Sequence, residues 1–330
     1  MINIIKASER LNMVEQTTQR IAVIDLGTNT FHLMIVDPVP DGFQVVYKEK
    51  IPVKIAAEGI DKGIIADEGI ARALKALTHY KEKIDEYKAT TVTATATSAF
   101  RNSKNGEQVK DLIYEKTGIA IQVIPGEVEA ELIYEGVAQA YPFNKEMSLI
   151  MDIGGGSVEF IICNNSGPVW KGSFEVGGQR LMTKFHQEEP IAQDKITALH
   201  AYLNEELAKL KAAIDIHQPT KLIGSSGTFD SLCEISYRRR GLSFVLDRQT
   251  FYELDFKDFF AIKDEMVRKN REERANTPGM IEMRVNLIVV SCLLIENVLE
   301  QTGIEKIASS TYALKEGLIK RVLQQIPVLE

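Results

Sequence analysis

The sequence predicts an α/β fold in which a βββαβα core is built twice, with a cleft between the copies. Three observations predict it. The stretch IAVIDLGTNTFHLMIVDP from Ile21 recurs in outline as SLIMDIGGGSVEFIICNN from Ser148: an apolar run, Asp, an apolar residue, Gly, a polar turn and a second apolar run. Strand-like runs and amphipathic helical patterns then alternate after each copy. Finally, 330 residues with 45% hydrophobic and 26% charged side chains suffice for two domains, each with its own core.

Residues 1–20 are polar and aperiodic and read as a flexible leader, in which Met13 offers a second start. Three strand-like runs follow over 21–27, 31–38 and 43–50, the last two separated by a turn of Pro, Asp and Gly. Ile70, Leu74, Leu77 and Ile84 mark one face of a helix over 67–87. A strand over 91–97, a helix over 106–116, a short strand over 121–124 and a helix over 128–140 complete a βββαβαβα half. The second half opens alike, with strands over 148–153, 158–163 and 169–176. Helices are expected over 191–216, 228–239 and 256–269, with a very apolar core helix over 280–299. The strand and glycine turn KLIGSSGTFD lies between the first two, KIASST reads as a late strand and 312–323 as a closing helix. The expected domains are 21–130, onto which the closing helix (312–325) packs back, and 131–311, which carries the extra helices.

A net charge of −7 argues against broad nucleic-acid binding, although a polyanion with local positive charge remains open. Arg101, Lys104, Lys171, Arg180, Lys184 and the run Arg238, Arg239, Arg240 supply candidates; the run reads better as a solvated helix end, where cations complement the dipole. No apolar stretch approaches the roughly 20 residues of a membrane span, and no signal peptide precedes the first strand, so a cytoplasmic protein without membrane contact is expected. Cys163, Cys233 and Cys292 are far apart, odd in number and flanked by apolar residues, as buried free thiols are. His32, His79, His186, His200 and His217 lack metal-ligand spacing and read as structural or exposed.

The turns carry the chemistry. In the first, Asp25 is followed by Gly27, Thr28, Asn29 and Thr30, all small or hydrogen-bonding; an ordinary hairpin reads equally well here. In the second, Asp152 precedes Gly154, Gly155, Gly156 and Ser157. Three consecutive glycines cost backbone entropy that a tight turn does not require, and close approach of a ligand gives that cost a purpose. Alternation puts Ser157 and Glu159 on one side of the outgoing strand, so that Asp152 and Glu159 both face the cleft. A third turn, Gly224, Ser225, Ser226, Gly227 and Thr228, joins a strand to a helix whose N-terminus attracts anions; a plain capped loop is the alternative. Facing hairpins of this kind would clamp a phosphorylated ligand.

DLGTNTFHL, TATSAFRNSKN, VIPGEVEAELIYEGV, DIGGGSVEF, GSSGT, MRVNLIVV and YALKEGLI, in this order from Ile21 to Leu323, together resemble the exopolyphosphatase and guanosine pentaphosphate phosphatase family. That family belongs to the actin, hexokinase and Hsp70-like ATPase superfold, so the resemblance implies two RNase H-like (actin-like ATPase) domains. It also implies a Mg²⁺-dependent hydrolase that removes terminal phosphate from inorganic polyphosphate or the 5′ phosphate from guanosine pentaphosphate. On this resemblance Glu129 is the catalytic carboxylate and Arg101 the phosphate-binding arginine, with Ser98 beside it in the same segment. Asp25, Asp152 and Glu159 would hold the metal, and the three turns would hold phosphate. Glu129, near the usual glutamate pKa of about 4.3, would act more by positioning the attacking water than by taking its proton.

The sequence departs from the family at Val128, usually acidic, at Glu131, usually basic, at Asn286, usually Asp, and at Lys315, often Arg. Those departures keep open a non-catalytic regulator that binds polyphosphate or guanosine tetraphosphate. A sugar or acetate kinase of the same superfold fits Glu129 and TSAFR less well. Longer family members add a C-terminal helical domain, so here any grip on a long polymer would come from the core or from a homodimer.

Overall fold

In the computed structural model, residues 19–59, 62–245 and 248–329 are described, and they form two open sheets covered by helices. The expected leader, including Met13, lies outside the described residues except for Gln19 and Arg20.

The first sheet begins as an antiparallel meander of β1 (Ile21–Leu26), β2 (Phe31–Val39) and β3 (Gly42–Ile51). On the other side of β1 lie β4 (Thr91–Ala96) and β5 (Ile121–Val123), both parallel, giving the order β3-β2-β1-β4-β5. The second sheet repeats the plan. β6 (Ser148–Ile153), β7 (Val158–Asn164) and β8 (Gly167–Phe174) form the meander, and β9 (Lys221–Ser225) pairs parallel to β6. An added strand, β10 (Phe251–Leu254), pairs antiparallel with β11 (Ile307–Ser310), which runs parallel to β9. Register repeats too: Asp25 stands opposite His32, and Asp152 opposite Glu159, each pair the same distance from its turn.

The connecting helices of the first half are α1 (Asp67–Glu86), the single turn α2 (Ser98–Arg101), α3 (Gly106–Thr117) and α4 (Gly126–Ala140). In the second half α5 (Gly178–Phe185), α6 (Gln193–Glu206), α7 (Ala208–His217) and α8 (Gly227–Arg239) are followed by α9 (Phe256–Arg268) and α10 (Arg271–Ala275). The last two are α11 (Ile288–Thr302) and α12 (Leu314–Leu323).

Two expectations are corrected. The helix expected over 191–216 is two, because Leu207 leaves helical geometry (φ −92°, ψ 13°) while its side chain is buried in the core. The helix expected over 280–299 starts only at Ile288; before it, a 3-10 turn at Glu282–Arg284 presents Arg284. α2, α5, α10 and β10 were not anticipated, being too short for periodicity to register. The three cysteines are free and buried, as expected.

Each sheet packs one face on its own helices: Ile24, Phe31, Leu77 and Tyr80 in the first half, Phe160, Phe229, Phe259 and Leu293 in the second. The opposite faces share a third core, in which Val23 and Val36 of one sheet and Ile150, Ile161 and Ile223 of the other meet Ile133, Val137, Leu318 and Ile319. The last four belong to α4 and α12, which cross closely. A methyl group on Gly136 would stand 1.8 Å from the Ala313 carbonyl oxygen, and one on Gly317 would stand 1.9 Å from that of Leu132. Backbone leaves no room to yield, so Gly317→Val should cost about 3 kcal/mol of stability, read from urea denaturation. Val128→Ala, on the same helix but only partly buried, should cost less.

Candidate active site

The two hairpin turns touch. A Cβ on Gly155 would lie 2.8 Å from Asn29 Nδ2, and one on Gly156 would lie 2.4 Å from Ser98 Oγ and 2.7 Å from Thr28 Oγ1. The glycine run therefore admits the other turn and Ser98, a close approach that the sequence reading, which expected a ligand, did not include. The turns are also built alike: a Cβ added to Gly27 or to Gly154 would lie 2.9 Å from a carbonyl oxygen, of Thr30 and Ser157 respectively. The carbonyls of Gly154, Gly155 and Gly156 accept from Gly178, Gln179 and Gly177 at the start of α5. The N–H groups of Gly155 and Gly156 donate to no backbone group among the described residues, which leaves them available to an anion.

Beside this contact opens a cavity of ≈ 140 Å³. Asp25, Gly27, Thr28, Asn29 and Thr30 line it from the first turn, and Asp152, Gly154, Gly155, Gly156 and Ser157 from the second. Glu129, Ser226 and Gly227 also line it. The remaining expected residues stand behind the wall. Arg101 reaches Glu129 Oε2 through Nη1 at 2.9 Å and the Ile124 carbonyl at 2.9 Å. Ser98 lies under the turn contact, in a smaller cleft of ≈ 60 Å³. Glu159 accepts from Ser173 Oγ at 2.7 Å below the floor, and Ser225 Oγ donates to Asp152 at 2.6 Å. Gly224 makes room for the Phe229 ring, which a Cβ would meet at 2.0 Å, and Thr228 is buried.

Sequence reasoning missed His32, Lys50, Asp230, Ser310 and Thr311 on the wall, and knew Arg284 and Lys315 only through the family pattern. A signal was present. Strand register carries a row across the first sheet from Lys50 through His32 to Asp25, so the hairpin pairing itself points to both residues. Arg284 lies against the first residue of α8, where a Cβ on Gly227 would be 2.4 Å from its Nη2, and its buried Nε has no partner.

Burial dominates the electrostatics. It pushes Asp25 up to about 7, against the pull of Lys315 and with the help of Asp152. Asp152 is raised as well by burial, opposed by the Ser225 hydroxyl; the residue equivalent to Ser225 beside Asp25 is Thr95, whose buried Oγ1 has no partner. Glu159 is pushed up to about 8 by burial, opposed by Ser173 and reinforced by Asp152. Glu129 is raised well above the carboxylate range, by burial first and then by Glu159, with Arg101 pulling the other way. That makes it a stronger base than the sequence reading allowed. Burial also lowers Lys50 and Arg284. At Lys315 burial works against the charge, but Glu316, Asp25, Asp230 and Asp152 outweigh it and hold the ammonium above its usual value.

Among the described residues no group of three or more His, Cys, Asp and Glu converges on one point. Asp25 and Asp152 both line the cavity as hard oxygen donors, and their ionisation is resisted by burial. Two carboxylates fit Mg²⁺, which keeps waters and completes its shell with phosphate oxygens, better than they fit an ion needing a full protein cage.

Between residues 34 and 326 the chain matches the model of the Ppx/GppA phosphatase family. It belongs to that family. Exopolyphosphatase 1 of Mycobacterium bovis is 26% identical over 92% of this chain and 88% of that protein. The guanosine-5'-triphosphate,3'-diphosphate pyrophosphatase of Pseudoalteromonas translucida is 25% identical over 92% of this chain and 59% of its own length. Among solved structures, an exopolyphosphatase from Cytophaga hutchinsonii is 44% identical with a TM-score of 0.91, covering 94% of this chain and 99% of that one. The Aquifex aeolicus member of the Ppx/GppA family, 22% identical over 93% of this chain and 98% of that one, shares the fold with a TM-score of 0.77. No helix among the described residues is long and apolar enough to cross a membrane.

The raised acids make stability pH-dependent. Unfolded carboxyls titrate near 4, whereas folded Asp25 and Glu159 do so at about 7 and about 8, so between these limits the folded state binds more protons. Their contribution to stability is therefore highest below about pH 4 and falls as pH rises toward 8. In metal-free buffer Tm should drop from about pH 5 to about pH 8, and Asp25→Asn should flatten the drop.

Proposed function

We propose that this protein is a Mg²⁺-dependent exopolyphosphatase that releases terminal phosphate from inorganic polyphosphate. Membership of the Ppx/GppA phosphatase family makes it a phosphoanhydride hydrolase. The observation that favours polyphosphate over a guanosine substrate is the cavity wall: it carries Lys50, Arg284, Lys315 and glycine-turn N–H groups but no Phe, Tyr or Trp among the described residues. A nucleobase would find no Phe, Tyr or Trp ring to stack on, whereas a chain of phosphates needs only charge and donors.

In this reading the terminal phosphate sits at the glycine turns with its phosphorus facing Glu129. Glu129 orients a water in line with the breaking P–O bond and accepts its proton, which its raised pKa favours. Arg101, bonded to Glu129, fixes the direction of that carboxylate. The Gly155 and Gly156 N–H groups receive the equatorial oxygens as their charge grows, and Lys50, Arg284 and Lys315 hold the rest of the chain. Asp25 and Asp152 would hold Mg²⁺, which when bound neutralises phosphate oxygens. The leaving group is itself a phosphate and needs little protonation.

Long-chain polyphosphate with Mg²⁺ should release orthophosphate, and guanosine pentaphosphate should be turned over more slowly. Glu129→Gln should lower kcat by about 10²–10⁴-fold with little change in KM. Release from neither substrate would overturn the hydrolase reading, and tight binding without release would favour the regulator. Full activity of Glu129→Gln would overturn the role given to Glu129.

A further inference from the structure

Next to Glu129 a second carboxylate, that of Glu175, sits among three donors. Ser98 Oγ donates to Glu175 Oε2 at 2.7 Å, Arg180 Nη2 donates to the same oxygen at 2.9 Å, and Arg101 Nη2 approaches Oε1 at 3.5 Å. Ser98 and Arg101 belong to α2 of the first half; Glu175 follows β8, and Arg180 lies on α5 of the second. The carboxylate therefore ties the two halves together at the mouth of the turn contact.

The donors do not depend on Glu175 for their places. Arg180 Nε is anchored on the Gly156 carbonyl at 2.9 Å, Arg101 Nη1 on Ile124 and Glu129, and Ser98 is 1% exposed. Glu175, with 40% of its side chain exposed, is the member free to leave. Two guanidinium groups and a hydroxyl, held by other bonds around one anion, suit the oxygens of a phosphate at least as well as those of a carboxylate.

We propose that Arg180 extends the phosphate seat that the resemblance already gives to Arg101, with Ser98 beside it, and that Glu175 is an internal stand-in anion that closes this seat and is displaced when a phosphate group enters. The identity of the ligand rests on the phosphoanhydride reading above; the competition between Glu175 and an anion does not. No covalent step is involved. Because a phosphate meets an open seat only while Glu175 is away, apparent affinity is reduced by the open fraction. A seat open about one-tenth of the time weakens binding about tenfold.

Inorganic phosphate, which is not hydrolysed, separates this question from catalysis. Its Kd would be measured by calorimetry on the full chain for wild type, Glu175→Gln, Glu175→Asp and the pair Glu175→Gln with Arg180→Gln. Glu175→Gln should bind phosphate about tenfold more tightly, Glu175→Asp should stay close to wild type, and adding Arg180→Gln should remove the gain. Unchanged or weaker binding by Glu175→Gln would overturn the proposal, as would a gain that survives Arg180→Gln. Melting curves with and without phosphate provide a second readout: Glu175→Gln should lose stability in its absence and recover it on addition, and a loss that phosphate does not restore would overturn the proposal. Failure to hydrolyse polyphosphate would leave these measurements standing.

Discussion

The structure depends on the contact between two glycine turns. Only a chain without Cβ atoms at Gly155 and Gly156 can bring the second hairpin against Thr28, Asn29 and Ser98. That approach forces Asp25 and Asp152, the last acidic residues of two equivalent strands, into one cavity with Glu129. It also brings Gly155 and Gly156, whose N–H groups donate to no backbone group among the described residues, to the wall of the same cavity. The crossing of α4 and α12, itself permitted by Gly136 and Gly317, holds the halves at this spacing from behind. Function and fold thus rest on the same kind of residue, used for close approach of backbone to backbone.

Bringing the halves together buries more charge than a stable core tolerates without compensation. Asp25, Asp152, Asp230 and Glu129 share the wall with Lys50, Arg284 and Lys315, and burial opposes ionisation of nearly all of them. At Lys315 burial opposes the charge as well, but four carboxylates around it outweigh that opposition and hold the ammonium above its usual value. A site with acids held above their usual pKa and unpaired guanidinium nitrogen is poised for a ligand that brings both negative oxygens and counter-cations. The proposed substrate, polyphosphate with metal ions, would meet that description, and burial of the site would strengthen each contact once water is expelled.

Much of this was legible in the sequence, for identifiable reasons. The duplicated hairpins were visible because each pairs an apolar run with an Asp-x-Gly turn, and strand order follows once the meander is recognised in both halves. The turn residues were legible as cavity residues because turns are set locally, whereas Glu129, one of three acids at a helix start, stood out only through the family resemblance. What escaped is what depends on distance in the chain. Lys50 reaches the wall through two successive strand registers, Asp230 and Arg284 through the packing of α8 against a 3-10 turn, and Ser310 from the far end of β11. The purpose of the three glycines was read as access for a ligand, since a sequence does not show that its own other half will occupy that space. The pKa of Glu129 was read as ordinary for a similar reason: its rise comes from burial and from Glu159, on a strand that sequence alone does not bring beside it.

The four departures from the family pattern divide along the same line between local and assembled structure. Val128 packs against the shared core, and Glu131, whose burial would raise it, is held below its usual pKa by Lys171 and Arg321, both bonded to it. Asn286 accepts from Arg271 Nε at 3.0 Å, away from the cavity wall. In each case the altered side chain has found a partner that leaves Glu129, Arg101 and the turns in place. Lys315 alone lies on the wall. An ammonium there is a compact point charge in place of a fork of five donors, so it can balance Asp25, Asp152 and Asp230 without fixing the orientation of a phosphate. The departure that reaches the cavity therefore changes how the proposed phosphate ligand would be gripped, while Glu129, Arg101 and the turns follow the family.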